Sequence, residues 1–588
     1  MPRRKMIDLK EQLGGKTCLP KFLLHWGEQI LGFDFLNRAH YSIDEDWDNG
    51  STENFFRLAC KYNHLHYDIN EGGLENIPKE GACVIVCNHP HGFSDGLMFG
   101  DVAMKVRSDV RIVVNEFLDC VFGMRPYSIK VDVYGGKEAM RANMTSMRDM
   151  LKWLREGHCL LVFPSGSVAS YSHQDKRVID DPWQTNIASI IRKTKATVVP
   201  MHISGRTSLF FQALTVLSKK NRGSFIPREI LRDRHHRHRI TLGNAISPTL
   251  LSTMETDEQL SDYLRLRSSL LSYLPVEEAK KPAETRQLAP IAPSMPADAI
   301  IAEIEALGED SIYYRGESSG LIVYMAQAHQ IPTLMQEIAI QREIIFRSVG
   351  EGTGRSFDRD EFDEYYGQLI LWDSNKKCLA GAYRMGFTDQ IVKERGVKGL
   401  YASSFYKIDE QATEILCQGL DMGRAFIMPE YQRIPSSLDT LWMGIGHYMT
   451  RHNYRYLYGM VSVSAQYSHL SRSCIRSFME ENKFNAQVAK GIQALAPADG
   501  IELRSEDRRL LPTALRETKQ LSQLVTELEE NNQSIPVLLK HYLRLHGTAI
   551  GFSLDEDFGN TLDCFILVDM KHAPERLKKR YLGEDSTL

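Results

Sequence analysis

The sequence predicts an α/β protein of two modules, each with its own β-sheet and flanking helices. In the first half, short runs of β-branched and apolar residues, such as Ala82 to Cys87, predict buried strands. In the second half, paired strand-like runs precede a long helical run from Leu438 to Thr450. Between them, the segment from Pro275 to about Ala299 is rich in Pro, Ala, Glu and Lys and predicts a semi-extended linker.

Length and composition agree with this division. A chain of 588 residues exceeds what one core holds, and about 150 residues per domain allows two to four domains. Apolar residues make up 43% and charged residues 25% of the chain, as in ordinary globular proteins. We expect a basic N-terminal segment at residues 1–50, a first domain at 51–274, a linker at 275–300 and a second domain at 301–588.

Charge and cysteine usage argue against several classes of function. The net charge of -4 and the lack of a uniformly basic module give no indication of a nucleic-acid partner. Ten cysteines without a C-x-x-C pair suggest neither a zinc site nor a disulfide framework, and favour a reducing cytoplasm. No run approaches the roughly 18 apolar residues of a membrane span, so we expect no transmembrane helix.

The N-terminal segment is a candidate for peripheral membrane binding. Its first 21 residues hold six basic and two acidic side chains, and Phe22, Trp26, Ile30 and Phe33 follow at helical spacing. Such a helix suits an anionic membrane surface, but its apolar stripe also suits the protein's own core. A second basic run, residues 232–239, also suits lipid, although a solvated loop is expected, and its contiguous histidines point in too many directions for a metal site.

The loop from Asn88 to Gly96 carries the strongest chemical signal of the first half. The strand-like run before it delivers His89 and Asp95 together onto a glycine-bearing loop. A neutral imidazole accepts a proton from a hydroxyl, and a carboxylate on its other nitrogen stabilises the imidazolium that forms. His91, four positions before Asp95, is a second candidate base. The alternative is structural, because such loop residues also cap turns.

Two further blocks follow this loop in order. A strand-like run ends in a turn at Pro164, Ser165 and Gly166, and another runs from Val198 to His202. Together the three blocks resemble the lysophosphatidic-acid acyltransferase family, which has a His-x4-Asp motif and a Phe-Pro-Glu-Gly block. The resemblance implies that His89 and Asp95 are catalytic and that Ser165 and Gly166 line the acceptor site.

Departures from that family indicate a different acceptor. The loop between His89 and Asp95 has one residue more than the family motif, and Ser165 replaces its glutamate. Val168 stands near a usual arginine, and Val133 follows Asp132 where the family often has arginine. Without a guanidinium fork, bidentate recognition of phosphate is weakened. The acceptor is therefore expected not to be a glycerol phosphate.

The second half has a different pattern of charged residues on predicted elements. Arg342 lies in a helical run, Asp363 precedes a strand-like run, and Arg384 lies in the paired run after it. Asp421 and Arg424 lie in a third run, before the long helix. This order resembles the GNAT-like ornithine N-acyltransferases and, at a distance, the acyl-homoserine-lactone synthases, which implies that these five residues bind substrate. The alternatives are an Asp421–Arg424 ion pair and solvated ends of elements for the others.

The loop before the long helix indicates the acyl donor. A Gly-rich loop opening a helix usually cradles the pyrophosphate of coenzyme A. Here Gln432 to Ser437 contains no glycine, and Pro435 removes one N–H donor. Acyl carrier protein presents only phosphopantetheine, so we expect an acyl-carrier-protein thioester as donor and no bound cofactor or metal, although helix donors past Ser436 could hold one phosphate.

The two halves together resemble the bifunctional ornithine lipid synthases. This resemblance implies that the C-terminal domain N-acylates ornithine with a 3-hydroxyacyl group. The N-terminal domain then esterifies the 3-hydroxyl of that lyso-aminolipid. The expected location is the cytoplasm, peripheral on the inner face of the bacterial cell membrane. The alternatives are an acyltransferase for another amino acid or a lysophospholipid, and a non-catalytic lipid-binding protein.

Overall fold

The computed structural model describes residues 28–29, 32–132, 137–217, 225–274, 288–316, 319–500 and 502–583. The chain divides into two compact units, which confirms two α/β modules. The first unit contains Met1–Val276 and Arg504–Leu515, and the second contains Glu277–Leu503 and Arg516–Leu588.

The first unit is built on a seven-stranded sheet in the order β1-β9-β8-β2-β5-β3-β4. All neighbouring pairs are parallel except β8 with β9. Because parallel strands are covered on both faces, their sequences are continuously apolar, as in the fully buried β2. The strands, with a separate β6–β7 hairpin, are β1 His66–Ile69, β2 Cys83–Cys87, β3 Val110–Asn115, β4 Ser128–Val131, β5 Cys159–Val162, β6 Ser170–Ser172, β7 Arg177–Ile179, β8 Thr197–Ile203 and β9 Arg237–Leu242.

Helices connect these strands and cover the sheet. The helix that follows β2 is apolar around most of its surface and lies in the main core with Ile85, Leu161 and Met201. The helices are α1 Phe33–Asp48, α2 Phe55–Tyr62, α3 Phe93–Met104, α4 Lys137–Arg155, α5 Thr185–Thr194, α6 Leu209–Leu217, α7 Ile226–Asp233, α8 Pro248–Leu251 and α9 Asp257–Leu270.

One helix of this unit comes from the second half of the sequence. Helix Ser505–Ala514 packs against α9. Tyr273 donates a hydrogen bond to Asp507 at 2.7 Å, and Arg504 donates to Ser272 at 2.7 Å. Residues 504–515 of the expected second domain at 301–588 therefore lie in the first unit, because this helix packs against α9.

The second unit is built on an eight-stranded sheet in the order β10-β11-β12-β13-β15-β16-β19-β18. Its neighbours are antiparallel except β15 and β16, which pair in parallel. The strands, with a separate β14–β17 pair, are β10 Ile312–Arg315, β11 Leu321–Gln327, β12 Gly367–Asp373, β13 Cys378–Phe387, β14 Tyr406–Ile408, β15 Gly419–Ile427, β16 Tyr456–Val463, β17 Ile492–Ala494, β18 Thr548–Asp555 and β19 Thr561–Asp569.

Helices of the second unit pack on this sheet, and the long helix expected around 438–450 runs from Pro435 to His452. Numbered along the chain, the helices are α10 Ala297–Ala306, α11 Pro332–Ser348, α12 Thr388–Arg395, α13 Glu410–Leu416, α14 Pro429–Gln432, α15 Pro435–His452, α16 His469–Asn482, α17 Ala486–Ala489, α18 Ser505–Ala514 of the first unit, α19 Thr518–Leu528, α20 Val537–Arg544 and α21 Glu575–Leu582.

The Pro-rich segment is partly fixed to the second unit. Ala289 and Ala292 donate backbone hydrogen bonds to Gly354 and Ser356 at 2.8 and 3.0 Å. Residues 288–296 therefore form an ordered extended segment before α10, and residues 275–287 lie outside the described residues.

The candidate membrane segment is described only in part. Phe22, Trp26 and Ile30 lie outside the described residues, whereas Phe33 is buried in the main core of the first unit. Within the described ranges, no helix is long and apolar enough to cross a bilayer.

Candidate active sites

His89 and Asp95 meet at the carboxyl end of β2 in the first unit. Asp95 lies in the first turn of α3, and its Oδ2 accepts backbone hydrogen bonds from His91 and Gly92 at 2.8 and 3.0 Å. The same oxygen lies 3.1 Å from His89 Nδ1. The expected contact is thus present despite the longer loop. Gly92, at φ 75°, turns the chain into the helix.

The His89 ring is held on several sides but keeps one edge accessible. Its plane stacks on Phe163, with ring centroids 4.1 Å apart. Its backbone N–H donates to Asp180 at 3.1 Å, and its carbonyl accepts from Ala169 at 2.8 Å. Asp95 is fully buried, whereas His89 remains 17% exposed. With Nδ1 facing the carboxylate, Nε2 is the nitrogen available to a substrate.

The second candidate base, His91, is placed differently. It is 3% exposed, and its Nε2 lies 3.0 Å from the backbone carbonyl of Ser204. Its Nδ1 lies 3.4 Å from Asp233. The ring of His91 therefore faces away from the Asp95 carboxylate, which it contacts only through its backbone N–H.

The turn at Ser165 and Gly166 follows β5 beside the histidine. Ser165 is buried, and its hydroxyl donates to the Ser167 carbonyl at 2.9 Å. Gly166 has φ 66°, and a Cβ there would lie 2.5 Å from Gln184 Nε2. A residue with a side chain would strain this turn.

A cavity of about 240 Å³ lies beside the loop. Its lining includes Asn88 and Pro90, the two residues on either side of His89 in the sequence. Its wall includes three arginines from different segments: Arg177, Arg265 and Arg504. Burial, with the nearby positive charges, lowers the pKa of His202 in this wall to about 3. The lining also includes Asp180, Glu506 and Asp507, so the cavity is a polar space lined by charges of both signs. Nothing in the sequence indicates that residue 504 belongs to it.

In the second unit, three predicted residues form one buried charge network. Arg342 Nη1 lies 2.8 Å from Asp363 Oδ1, and Arg384 lies 3.4 Å from the same oxygen. Arg384 also pairs with Asp360 at 2.5 Å. Arg342 and Asp363 are fully buried and Arg384 is 1% exposed, so the alternative of solvated ends of elements is wrong. The two guanidiniums outweigh burial and hold the pKa of Asp363 well below its usual range.

Arg424 adopts an unusual backbone conformation beside this network. Its φ is 54°, at a register shift between β13 and β15. Its Nε lies 2.9 Å from Asp358 Oδ2, and its Nη1 donates to the Tyr401 hydroxyl at 2.9 Å. A left-handed arginine in a strand stores strain of about 1–3 kcal/mol, and such strain clusters at functional sites.

Asp421 is separate from Arg424. It accepts a hydrogen bond from the Tyr366 hydroxyl at 2.8 Å and is 2% exposed. Burial raises its pKa to about 6. The alternative of an Asp421–Arg424 ion pair is therefore wrong, since Arg424 pairs with Asp358 instead.

Three carboxyl groups that sequence reasoning missed lie near Arg424. Burial raises the pKa of Glu351 to about 7, and Ser462 donates a hydrogen bond to it at 3.0 Å. Burial and the neighbouring Asp555 raise the pKa of Asp563 to about 8. Burial also raises the pKa of Asp555. For Asp563, the sequence does offer a signal of a functional residue, because this aspartate lies inside the otherwise apolar run that forms β19.

The two parallel strands separate at this point. β15 pairs with β16 only from Gly419 to Met422, whereas β15 continues along β13 to Ile427. Arg424 lies on the separated part of β15, and Ser462 lies on the separated part of β16. Backbone groups along such a gap can bind an extended ligand as an added strand does.

Comparison with known proteins gives two family matches. A family described as Acyltransferase matches residues 14–272, and a family described as Acetyltransferase (GNAT) domain matches residues 341–443. The first match lies within the first unit, and the second lies within the second unit.

Individual relatives match less than half of this chain. A glycine N(α)-acyltransferase of Bacteroides thetaiotaomicron is 29% identical over 47% of this chain and 85% of its own length. A lyso-glycine lipid O-acyltransferase of Phocaeicola vulgatus is 26% identical over 44% of this chain and 93% of its own. An L-ornithine N(α)-acyltransferase of Brucella abortus is 25% identical over 46% of this chain and 88% of its own.

Proposed function

We propose that this chain, which joins an acyltransferase domain to a GNAT domain, makes a diacylated aminolipid in two steps. The GNAT domain transfers a 3-hydroxyacyl group from a thioester to the α-amine of ornithine. The first domain then transfers a second acyl group to the 3-hydroxyl of that product. The observation that carries the proposal is the His89–Asp95 pair in one unit together with the Arg424 site in the other.

In the esterification step, His89 acts as general base. Its Nε2 takes the proton of the 3-hydroxyl as the oxygen attacks the thioester carbonyl. The new C–O bond forms and the C–S bond breaks, and the same nitrogen returns the proton to the leaving thiolate. Asp95, 3.1 Å from Nδ1, stabilises the imidazolium between these transfers.

The cavity beside His89 suits the headgroup of the acylated amino acid. That acceptor carries a carboxylate and no phosphate, and Arg265 and Arg504 in the cavity wall supply positive charge. We expect Arg265→Gln to raise the KM for the lyso-aminolipid with a smaller change in kcat. A changed kcat with an unchanged KM would contradict this placement.

The Arg424 site suits a zwitterionic amino acid. Arg424 is 13% exposed and offers its guanidinium to the carboxylate of the acceptor. The raised pKa of Glu351, Asp555 and Asp563 favours their neutral forms, and an ammonium group bound beside them would favour the carboxylates. Ornithine has a second ammonium group to place beside these carboxyl groups, whereas glycine has none. Glycine is the second candidate, because the glycine N(α)-acyltransferase of B. thetaiotaomicron is similar to this chain.

The donor in both steps is an acyl thioester, and we propose acyl carrier protein as its carrier. The support is the loop of residues 432–437, which has no glycine to cradle a pyrophosphate. The basic N-terminal segment and the lipid product support a peripheral position on the inner face of the cell membrane. Flotation with anionic vesicles, compared with a Lys5→Ala, Lys10→Ala, Lys16→Ala variant, tests this position.

The two-step reaction is tested with the purified full chain, 3-hydroxyacyl and acyl carrier proteins, and ornithine or glycine. Mass spectrometry should show monoacyl and then diacyl aminolipid. His89→Ala should accumulate the monoacyl product, whereas Arg424→Met should form neither product unless the monoacyl lipid is supplied. Diacyl product from His89→Ala at the wild-type rate, or acylation of lysophosphatidic acid alone, would refute the proposal. Coenzyme A thioesters in parallel assays identify the donor.

A further inference from the structure

A buried cluster of His91, Asp233 and His238 in the first unit has no role in either proposed step. The three residues come from the loop after β2, the end of α7 and strand β9. All are buried, with 2–4% exposure. One side-chain ligand atom from each residue lies within 4.8 Å of the others. The expected solvated loop at 232–239 is therefore wrong for Asp233 and His238.

The orientation of the two imidazoles leaves two nitrogen atoms unused. His91 Nε2 lies 3.0 Å from the Ser204 carbonyl, which only accepts, so this nitrogen carries the proton. The rings of His91 and His238 meet edge to face, with centroids 4.5 Å apart. His91 Nδ1 and His238 Nε2 are buried and have no hydrogen-bond partner. Leaving a buried polar atom unsatisfied destabilises the folded protein, so a partner for both nitrogens would be favourable.

This arrangement has the chemistry of a metal site. Histidine ligands of metals usually donate their second N–H to a backbone carbonyl or carboxylate, which leaves the other nitrogen for the ion. Here the Ser204 carbonyl accepts from His91 Nε2, and the Asp233 carboxylate supplies an oxygen ligand and a negative charge. Two imidazoles and one carboxylate form a known ligand set for Zn²⁺, which completes its coordination with water.

We propose that His91, Asp233 and His238 bind one divalent transition-metal ion, with Zn²⁺ as the preferred ion. The competing occupant is a proton, which makes His91 a cation paired with Asp233 at 3.4 Å. That distance is long for a hydrogen bond, and a proton on His91 leaves His238 Nε2 without a partner. An ion satisfies all three side chains at once.

The ion would fix the loop that carries the catalytic pair. His91 is two residues from His89, and its backbone N–H donates to Asp95 at 2.8 Å. Ligation of His91 would tie this loop to α7 and β9. This positioning role rests on the proposed esterification, whereas metal binding does not, so binding is measured separately from activity.

The test uses the full chain without a histidine tag, stripped with chelator and dialysed. Inductively coupled plasma mass spectrometry after addition of Zn²⁺ should find one ion per chain, and Zn²⁺ should raise the melting temperature. His238→Gln and Asp233→Asn should weaken Zn²⁺ binding by more than about 100-fold. The matched control is His236→Gln, an exposed histidine of the same run, which should bind as the wild type does.

Two outcomes would overturn the proposal. One is no bound ion in the wild-type chain at micromolar Zn²⁺; the other is equal Zn²⁺ binding by the wild type and a folded His238→Gln, whatever His236→Gln does. If His238→Gln does not fold, the Co²⁺ spectrum of the wild-type chain decides. Intense visible bands at one equivalent support a site of low coordination number, whereas the weak spectrum of aqueous Co²⁺ refutes it. If the wild-type chain binds one Zn²⁺ but the metal-stripped enzyme forms diacyl lipid at the normal rate, only the positioning role is refuted.

Discussion

Replacing Asp95 with asparagine should reduce esterification strongly while N-acylation by the same chain continues. The substitution keeps the size of the side chain, and its amide oxygen can still accept from the backbone of His91 and Gly92. It removes the negative charge that lies 3.1 Å from His89 Nδ1. The imidazolium formed during proton transfer then loses its main stabilisation.

The magnitude follows from this distance. Unit charges 3.1 Å apart interact by about 5 kcal/mol at an effective dielectric constant of about 20. Each 1.36 kcal/mol in activation free energy is about tenfold in rate, so the upper limit is about 10⁴-fold. His89 is 17% exposed, and water screens part of the charge. We therefore expect kcat for esterification to fall by about 10²–10⁴-fold.

The assay supplies synthetic monoacyl aminolipid and acyl carrier protein thioester, and counts diacyl product by mass spectrometry. N-acylation by the same preparation is the internal control for folding and concentration. Esterification by Asp95→Asn within about threefold of the wild-type rate would refute the assignment of Asp95 as the partner of the base. Equal loss of both activities would show that the substitution disrupts the protein as a whole.

Three further predictions concern stability, pH and the turn at Gly166. Asp363→Asn leaves two buried guanidiniums without their shared carboxylate and should destabilise the second unit by about 3–5 kcal/mol in urea unfolding; an unchanged midpoint would contradict the network. The Asp563 carboxyl has a pKa of about 8 in the folded protein, against an ordinary value of 3.8. Its protonation therefore favours the folded state fully below pH 3.8, and this contribution to the free energy of unfolding is lost as the pH rises to about 8. Asp563→Asn should therefore gain thermal stability relative to the wild type between pH 5 and 9, and a difference independent of pH would count against the raised pKa. Gly166→Ala should impair esterification more than Gly157→Ala, since both have positive φ but only the first adds a Cβ 2.5 Å from Gln184; equal effects would assign the loss to backbone strain alone.

The sequence predicts well those elements whose patterns are local. Strands β2, β5 and β8 are continuous apolar runs, and the structure places them side by side in the first sheet. The pairing of His89 with Asp95 was also predictable from local sequence. His89 follows the end of β2 and Asp95 lies in the first turn of α3, so a short loop holds the two residues close together. The assignment of an acyltransferase and a GNAT domain is confirmed by the family matches.

Long-range contacts decide what the sequence could not predict. His238 belongs to a basic run, but β9 lies between β1 and β8 and thereby buries it. Asp421 and Arg424 are three positions apart, so they point to opposite faces of a regular strand, and the bulge at Arg424 directs it toward Asp358. The position of Asp358 depends on a loop folding against α11, where its N–H donates to Ala339 at 2.9 Å. Acyl carrier protein as donor and the membrane location stay predictions.

Helix α18 has a consequence for synthesis of the protein on the ribosome. The first unit ends at Val276 except for Arg504–Leu515, which the ribosome makes more than 200 residues later. At about 5–20 residues per second, this interval lasts roughly 10–50 s. During that time the surface of α9 that receives α18 stays uncovered in the nascent chain, and the first unit completes its core only when most of the second unit has been translated. A gene truncated near codon 300 would therefore produce a first unit in which this face of α9 is uncovered, and supplying residues 504–515 as a separate peptide should raise its stability.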